Sequence, residues 1–101
     1  MASKMSKACD ISPKVRQEVI ERDKCCIICG RYTCLQVAHY ISRARGGLGI
    51  PQNLGLMCVS CHGEYDNGKL HTEIKKAFSD YLKAHYPEWD EEKLIYKKWS
   101  F

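Results

Sequence analysis

Two cysteine pairs, set about thirty residues apart, constrain this chain more than any other feature of its sequence. Cys26 and Cys29 form the first C-x2-C unit, and Cys58 and Cys61 form the second. A C-x2-C turn delivers two thiolates to one metal ion, and four thiolates in a tetrahedron are a preferred ligand set of zinc. Four thiolates also fill the coordination shell, so no position remains for a reacting water. We therefore predict a structural Zn²⁺ ion held by these four cysteines.

The remaining cysteines do not suggest a disulfide framework. The chain has seven cysteines, and an odd number cannot pair fully within one molecule. The N-terminal residues lack the apolar segment of a secretion signal, so the expected location is the reducing cytoplasm, where disulfides are rare. Cys25 could replace Cys26 through a C-x3-C spacing, although that spacing suits a knuckle turn less well. Cys9 and Cys34 are expected to be free thiols.

The charge of the chain is unevenly distributed along its 101 residues, which are expected to form one small domain. Residues 1–62 contain nine Lys or Arg and four Asp or Glu, whereas residues 63–101 contain seven and eight. A polyanionic partner would account for this asymmetry, and so would an ordinary solvated basic face. No apolar run approaches the roughly 20 residues of a membrane span, so no membrane partner is expected.

A helix start signal follows a polar N-terminus. Residues 1–11 are expected to be loose. Ser12 is a favoured N-cap and Pro13 suits the first helical position, so a helix should begin there and run to about Asp23. One face of this helix is expected to carry the apolar residues Val15, Val19 and Ile20.

Between the cysteine pairs, the pattern predicts two short strands joined by a loop. Alternation of apolar residues predicts a strand over Leu35–Ile41, and Leu54–Met57 is predicted as its partner. Residues 43–52 contain three glycines and a proline, which indicates a loop. A helix is predicted from residue 59 or 60 to near Gly68.

The last third of the chain has the period of an amphipathic helix. Its apolar stripe, interpreted as core rather than as a binding groove, consists of Leu70, Ile74, Ala77, Phe78, Tyr81, Leu82 and His85. Pro87 should end the helix. The following residues are predicted to form a short helix or an extended arm that packs Trp89, Leu94, Ile95 and Trp99 onto the body.

Four motifs in this order resemble the HNH endonuclease family, in its four-cysteine zinc type. They are C-x2-C-G at residues 26–30, VAHYISRARGG at 37–47, Asn-Leu at 53–54 and C-x2-C-H at 58–62. The resemblance covers residues 22–68 continuously, and residues 69–101 are similar to the C-terminal part of small stand-alone HNH proteins of phages and bacteria. It implies an α+β fold, a zinc-stapled ββα-metal core with flanking N- and C-terminal helices, in a single domain over residues 1–101.

The resemblance also implies roles for three residues. His39 matches the first histidine of the motif, the general base that takes a proton from water; an unperturbed histidine pKa near 6.5 suits this role at neutral pH. Asn53 matches the asparagine, and its carbonyl is expected to hold the His39 ring; a purely architectural role is the alternative. His62 matches the last histidine, which binds a catalytic divalent ion, the alternative being a zinc ligand in place of one cysteine.

The chain departs from the family pattern at Ala38. Many members have an Asp or His directly before the catalytic histidine as a second metal ligand, and an alanine cannot coordinate a metal. Asp66 lies four residues after His62, on the same face of the predicted helix, and some members have a ligand at that spacing. We therefore hypothesise that His62 and Asp66 bind the catalytic ion, a weakly held Mg²⁺, Mn²⁺ or Ni²⁺.

By this resemblance the protein is expected to be a DNA endonuclease that leaves 5′-phosphate and 3′-hydroxyl ends. Arg43 and Arg45 are candidate phosphate contacts, although a solvated loop would also explain them, and the expected DNA binding depends on salt more than on sequence. A monomer or weak dimer is expected; if the gene belongs to a phage, the resemblance implies the host cytoplasm and a role beside the packaging terminase.

Two other classes of function compete with this prediction. One is a zinc-stapled module that binds nucleic acid without cleaving it, which the alanine at position 38 favours. The other is a protein-interaction domain built on the zinc knuckles, which would show no salt-dependent affinity for DNA.

Overall fold

A computed structural model describes the backbone of residues 4–97 and the side chains of residues 7–97. The two strands form an antiparallel sheet in which Leu35 lies opposite Cys58 and His39 lies opposite Leu54. The helices and strands are α1 (Lys4–Cys9), α2 (Pro13–Asp23), β1 (Leu35–His39), β2 (Leu54–Cys58), α3 (Val59–Asn67) and α4 (His71–His85). Short 3₁₀ turns occur at Arg43–Arg45, Pro51–Asn53 and Glu91–Leu94. The predicted α+β class is confirmed, and β1 ends two residues earlier than expected.

The sheet is packed on both faces, which explains why every residue of β2 is buried. On one face, Val19 of α2 packs against Leu54 and Leu56. On the other face, Met57 and its neighbours meet the apolar sides of α3 and α4, where Phe78 is fully buried. The sheet is therefore fixed between α2 and the helix pair, and β1 lies at an open edge.

Helix α2 has the predicted bounds and cap. The Val15 amide donates to the Ser12 hydroxyl at 3.1 Å, and Pro13 occupies the first turn. Val19 is fully buried, as expected. Ile20 is 39% exposed, so the prediction that it shares the buried face is wrong. The helix turns 100° per residue, and this rotation carries Ile20 away from the sheet.

The N-terminus is more ordered than the sequence suggested. Residues 4–9 form α1, whereas the whole of residues 1–11 was expected to be loose. The Cys9 side chain is only 2% exposed, and the Gly49 amide donates to the Ala8 carbonyl at 2.9 Å. The segment therefore docks on the loop over residues 43–52, which contains three glycines and is called the glycine loop below. These tertiary contacts cannot be predicted from the polarity of the residues alone.

The C-terminal part agrees with its periodicity only in part, because three residues of the predicted core stripe are exposed: Leu70, Ala77 and His85. Ile74, Phe78 and Leu82 are buried along α4, which ends at His85, two residues before Pro87. Leu94 is buried, and the Trp89 indole donates to the Gln52 carbonyl at 2.8 Å. The predicted packing of Trp99 lies outside the described residues.

Among the helices of residues 4–97, none combines the length and apolar character that a membrane span requires.

The glycine loop is held by the C-terminal arm. The Tyr96 amide donates to the Gly46 carbonyl at 2.7 Å, and the Leu48 amide donates to the Leu94 carbonyl at 2.8 Å. Gly46 has a φ of +85°, which favours glycine, and a Cβ on Gly47 would lie 1.6 Å from the Ile41 carbonyl oxygen. The loop after β1 therefore has one fixed course.

Candidate functional site

The four predicted cysteines converge on one point. The sulfurs of Cys26, Cys29, Cys58 and Cys61 all lie within 4.8 Å of one another, and those of Cys29 and Cys58 are 3.6 Å apart. A Zn–S bond of about 2.3 Å implies sulfurs about 3.8 Å apart in a tetrahedron. The cluster could therefore hold a metal such as zinc. Cys25, the alternative ligand, is not a member.

The local backbone explains how each pair presents its sulfurs. The Cys29 amide points to the Cys26 sulfur at 3.5 Å, and the Cys61 amide points to the Cys58 sulfur at 3.4 Å. Gly30, with a φ of +81°, completes the first turn, and Cys58 is the N-cap of α3. The cysteine cluster therefore joins the first turn to the point where β2 becomes α3.

The pKa values of these thiols reflect burial and backbone donors. Burial raises the pKa of Cys26, but surrounding amide donors outweigh it and lower the pKa to about 6. The Cys61 amide likewise lowers the pKa of Cys58. Burial and hydrogen bonds with the other sulfurs raise the pKa of Cys61. A divalent cation among four sulfurs favours the thiolate form, so these thiols would release protons when a metal binds.

His39 is the last residue of β1 and lies at a pocket beside the open edge of the sheet. The pocket has a volume of about 610 Å³, and its walls include His39, His62, Asp66, Arg43 and Arg16. The His39 Nε2 atom lies 3.0 Å from the backbone oxygen of Cys9. Strand β1 and helix α3 thus bring both predicted histidines to one open pocket.

The environment of His39 keeps its ring uncharged at neutral pH. Burial lowers the pKa of His39 below its usual 6.5, and the positive charge of Arg43 lowers it further. The hydrogen bond to the Cys9 carbonyl acts in the opposite direction but is outweighed. A neutral imidazole has a free lone pair, which is the form that accepts a proton.

His62 and Asp66 lie one helical turn apart on α3. The His62 Nδ1 atom lies 2.7 Å from the Gln36 Oε1 atom, so the hydrogen is on Nδ1 and the lone pair is on Nε2. Nε2 is 3.6 Å from the Asp66 Oδ2 atom, close to the roughly 3 Å that two ligands of a small octahedral cation adopt. Histidine ligands usually donate their second ring N–H to an acceptor, as His62 does here. These two side chains therefore fit a divalent ion.

Asn53 is fully buried, but it does not bind the ring of His39. Its Oδ1 atom accepts from the Ile41 amide at 2.8 Å, and its Nδ2 atom donates to the carbonyls of Ile41 and Leu48. The expected hydrogen bond from Asn53 to His39 is wrong, because every polar atom of the Asn53 side chain binds the loop backbone. The structure supports the architectural alternative.

The two candidate phosphate contacts lie in different surroundings. The Arg43 Nη2 atom lies 2.5 Å from the Asp10 carboxylate, and Nη1 donates to the Cys9 carbonyl at 2.9 Å. Arg45 lines a neighbouring polar pocket, which also contains Lys75. Both pockets share His39, Ser42 and Asp66, so cationic side chains lie on either side of His39.

Comparison with known proteins agrees with this geometry. Residues 26–68 match the model of the HNH endonuclease family. This segment therefore resembles the HNH endonucleases. The resemblance stated from the sequence is therefore confirmed, and it supports nuclease activity in general terms. No curated protein matches the chain.

One solved structure shares the fold of the HNH segment and its flanks. It is that of the Type IV phosphorothioation-dependent restriction endonuclease ScoMcrA, with a TM-score of 0.63 and 21% identity. The match covers 77% of this chain but only 17% of ScoMcrA. At that identity the likeness shows the fold alone.

The structure explains what Ala38 does in this HNH segment. Its side chain is fully buried and belongs to the main core cluster, beside Tyr40. Across residues 4–97, no third His, Cys or carboxylate joins His62 and Asp66 in a close ligand group. An ion at this position would therefore complete its shell with water and substrate oxygens.

The sequence did not indicate four residues that lie around the pocket of His39 and His62. Gln36 belongs to no motif and is simply the neighbour of an apolar strand residue. The alternation of side chains along a strand could still have predicted that it lies beside the start of α3. Arg16 lies on the exposed part of α2, and Cys9 and Asp10 were assigned to a loose segment. Their roles depend on tertiary docking, which leaves no local pattern.

Proposed function

We propose that this protein is a metal-dependent HNH endonuclease that hydrolyses phosphodiester bonds of DNA. The observation that carries the proposal is one open pocket that contains His39, His62 and Asp66 together with the cations Arg16 and Arg43. Phosphodiester hydrolysis needs a base for water, charge neutralisation at the phosphate and stabilisation of the leaving oxygen. The pocket contains a candidate for each task.

In this proposal His39 is the general base. Water attacks the phosphorus, its proton passes to the ring nitrogen of His39 that does not face Cys9, and the bond to the 3′ oxygen breaks. The leaving oxygen takes a proton from solvent, which gives 5′-phosphate and 3′-hydroxyl ends. A divalent ion bound by His62 and Asp66, as Mg²⁺, Mn²⁺ or Ni²⁺, would neutralise phosphate charge and stabilise the leaving oxygen.

The other residues support this chemistry in different ways. The four cysteines are proposed to hold a structural Zn²⁺ ion that fixes α3, and hence His62, relative to β1. Asn53 is proposed to fix the loop that carries Arg43 and Arg45. These two arginines and Arg16 are proposed to contact backbone phosphates, which favours salt-dependent and weakly sequence-specific binding.

Plasmid nicking tests the proposal. Supercoiled plasmid is incubated with Mg²⁺, Mn²⁺ or Ni²⁺, and EDTA serves as the metal control. His39→Ala should lower nicking by about 10²- to 10⁴-fold, because it removes the general base, and should retain DNA binding. Asp66→Ala should also lower nicking and raise the metal concentration required. His85→Ala is the matched control, since His85 is exposed on α4 and does not line the pocket.

A second candidate is a nucleic-acid-binding module without catalysis. Two observations favour it. Ala38 provides no metal ligand, and Asp10 already forms an ion pair with Arg43, whose guanidinium is proposed to contact phosphate. Salt-dependent DNA binding without nicking, in both the unmodified protein and His39→Ala, would identify this module and refute the nuclease.

A further inference from the structure

A backbone carbonyl outside the HNH segment contacts the ring of His39. The Cys9 oxygen lies 3.0 Å from His39 Nε2 and also accepts from Arg43 Nη1 at 2.9 Å. A carbonyl oxygen can only accept hydrogen bonds, so Nε2 carries the hydrogen in this contact. In a neutral imidazole only one ring nitrogen is protonated, and Nδ1 is then the nitrogen with the free lone pair.

The segment that presents this carbonyl is held in place at both sides of Cys9. The Gly49 amide donates to the Ala8 carbonyl at 2.9 Å, and the Asp10 carboxylate lies 2.5 Å from Arg43 Nη2. The contact is close enough to exclude a side chain at Gly49, because a Cβ there would lie 2.1 Å from the Asp10 oxygen and 2.9 Å from the Cys9 oxygen. The position of the Cys9 carbonyl therefore depends on a glycine forty residues away in sequence.

We propose that the Cys9 carbonyl is the group that positions the ring of His39. This carbonyl keeps the hydrogen on Nε2 and leaves Nδ1 as the nitrogen that accepts the proton. The catalytic part of this inference rests on the proposed nuclease function; the ring geometry does not. Residues 7–11 are then part of the active site, although they precede the matched HNH segment by many residues. This assigns to the N-terminal segment the task that the sequence suggested for Asn53.

The same contacts are compatible with the opposite role, an inhibitory strap. Asp10 occupies Arg43 with an anionic group, as a phosphate would. Two observations favour the positioning role. The Cys9 carbonyl contacts Nε2, which must carry the hydrogen if Nδ1 of a neutral ring is to accept a proton. The pocket in front of His39 also remains open beside the segment.

Gly49→Ala tests the proposal without replacing any residue of the pocket wall. The added methyl group displaces the Cys9 and Asp10 carbonyls, and Gly63→Ala is the matched control, because a Cβ there meets no atom within 4 Å. The tautomer of His39 is measured by ¹⁵N NMR of the imidazole, and nicking is measured over a range of DNA concentrations that reaches saturation. Folding of each variant is checked by its zinc content and its circular dichroism.

The unmodified protein is expected to show neutral His39 protonated on Nε2. Gly49→Ala should show a mixture of tautomers and a rate constant lower by about 10- to 100-fold with little change in KM, because a small displacement of a reacting group has an effect of this size. Gly63→Ala should match the unmodified protein in both measurements.

Three results would overturn the inference. They are hydrogen on Nδ1 in the unmodified protein, faster nicking by Gly49→Ala, or a folded Gly49→Ala with unchanged tautomer and rate. The first needs no variant, so it decides the question even if Gly49→Ala does not fold. If the predicted tautomer is found but the protein never nicks DNA, the ring geometry is supported and the nuclease proposal fails instead.

Discussion

At the scale of single residues, the surroundings of His39 determine the pH range in which it can act. Burial and the neighbouring positive charge lower its pKa below 6.5. The neutral ring, which is the active form of a base, then predominates at pH 7 and is lost as the pH falls through the lowered pKa. In the proposed function the charge of Arg43 would therefore have two effects: it would attract phosphate, and it adds to the effect of burial that keeps His39 deprotonated.

The nicking rate at saturating metal and DNA should rise with pH to a plateau, with a midpoint below 6.5. Arg43→Gln removes a positive charge that lowers the pKa of His39, so its midpoint should move to higher pH. Lys69→Gln, an exposed change that does not line the pocket, should leave the midpoint unchanged. A midpoint above 6.5 in the unmodified protein would contradict the assigned role of His39.

Some of the residues identified from the sequence have partners at a fixed local spacing, whereas His39 was identified by its resemblance to the HNH motif. The cysteine pairs belong to tight turns, and His62 and Asp66 are one helical turn apart, so their spacing predicts their proximity. Asn53 was identified as important but given the wrong partner, because its hydrogen bonds depend on how the loop folds back. The Cys9 carbonyl has no side-chain signature, so no pattern could reveal it.

At the scale of secondary structure, a buried ion-pair network ties α2 to the rest of the fold. Arg22 donates to Asp23, to the Leu54 carbonyl at 2.6 Å and to the Pro51 carbonyl at 2.9 Å. The Tyr81 hydroxyl of α4 donates to the same Asp23 carboxylate. Side-chain exposure is 11% for Arg22 and zero for Asp23, so neither charge is well solvated.

Arg22→Met should lower the free energy of unfolding by about 3–5 kcal/mol, because it leaves the Asp23 carboxylate buried without its cation. Lys76→Met is the matched control, since it removes the exposed Lys76–Asp80 pair and should cost no more than about 1 kcal/mol. Urea denaturation of the metal-loaded protein measures both. Equal losses in the two variants would show that the buried network does not stabilise the packing of α2.

Elements with strong local signals were predicted well, and elements that depend on docking were not. Helix α2 had an N-cap and a proline, and α4 had a long amphipathic stripe, so their local signals agreed with the packing that the fold allows. Helix α1 has neither signal and is short. Its order comes from contacts with the glycine loop, which are distant in sequence and therefore absent from any local pattern.

At the scale of the whole molecule, the cluster of four cysteines and the pocket are linked through α3. The cluster joins the turn after α2 to the junction of β2 and α3, and α3 carries His62 and Asp66. A domain of this size has a core of marginal stability, whereas a structural Zn²⁺ ion contributes on the order of 10–16 kcal/mol of apparent binding energy. Loss of the metal should therefore unfold the domain as well as the pocket.

Cys29→Ser should reduce bound zinc well below one equivalent and lower the Tm strongly, because a hydroxyl replaces a thiolate ligand. Cys34→Ser is the matched control: Cys34 is also exposed and lies outside the cluster, so zinc content and Tm should not change. Metal analysis and thermal melts followed by circular dichroism measure both effects. A strong chelator should reproduce the Cys29→Ser result in the unmodified protein, since it removes the same link between the turn after α2 and the junction of β2 and α3. Full zinc content and an unchanged Tm in Cys29→Ser would show that the four sulfurs do not act as one metal site.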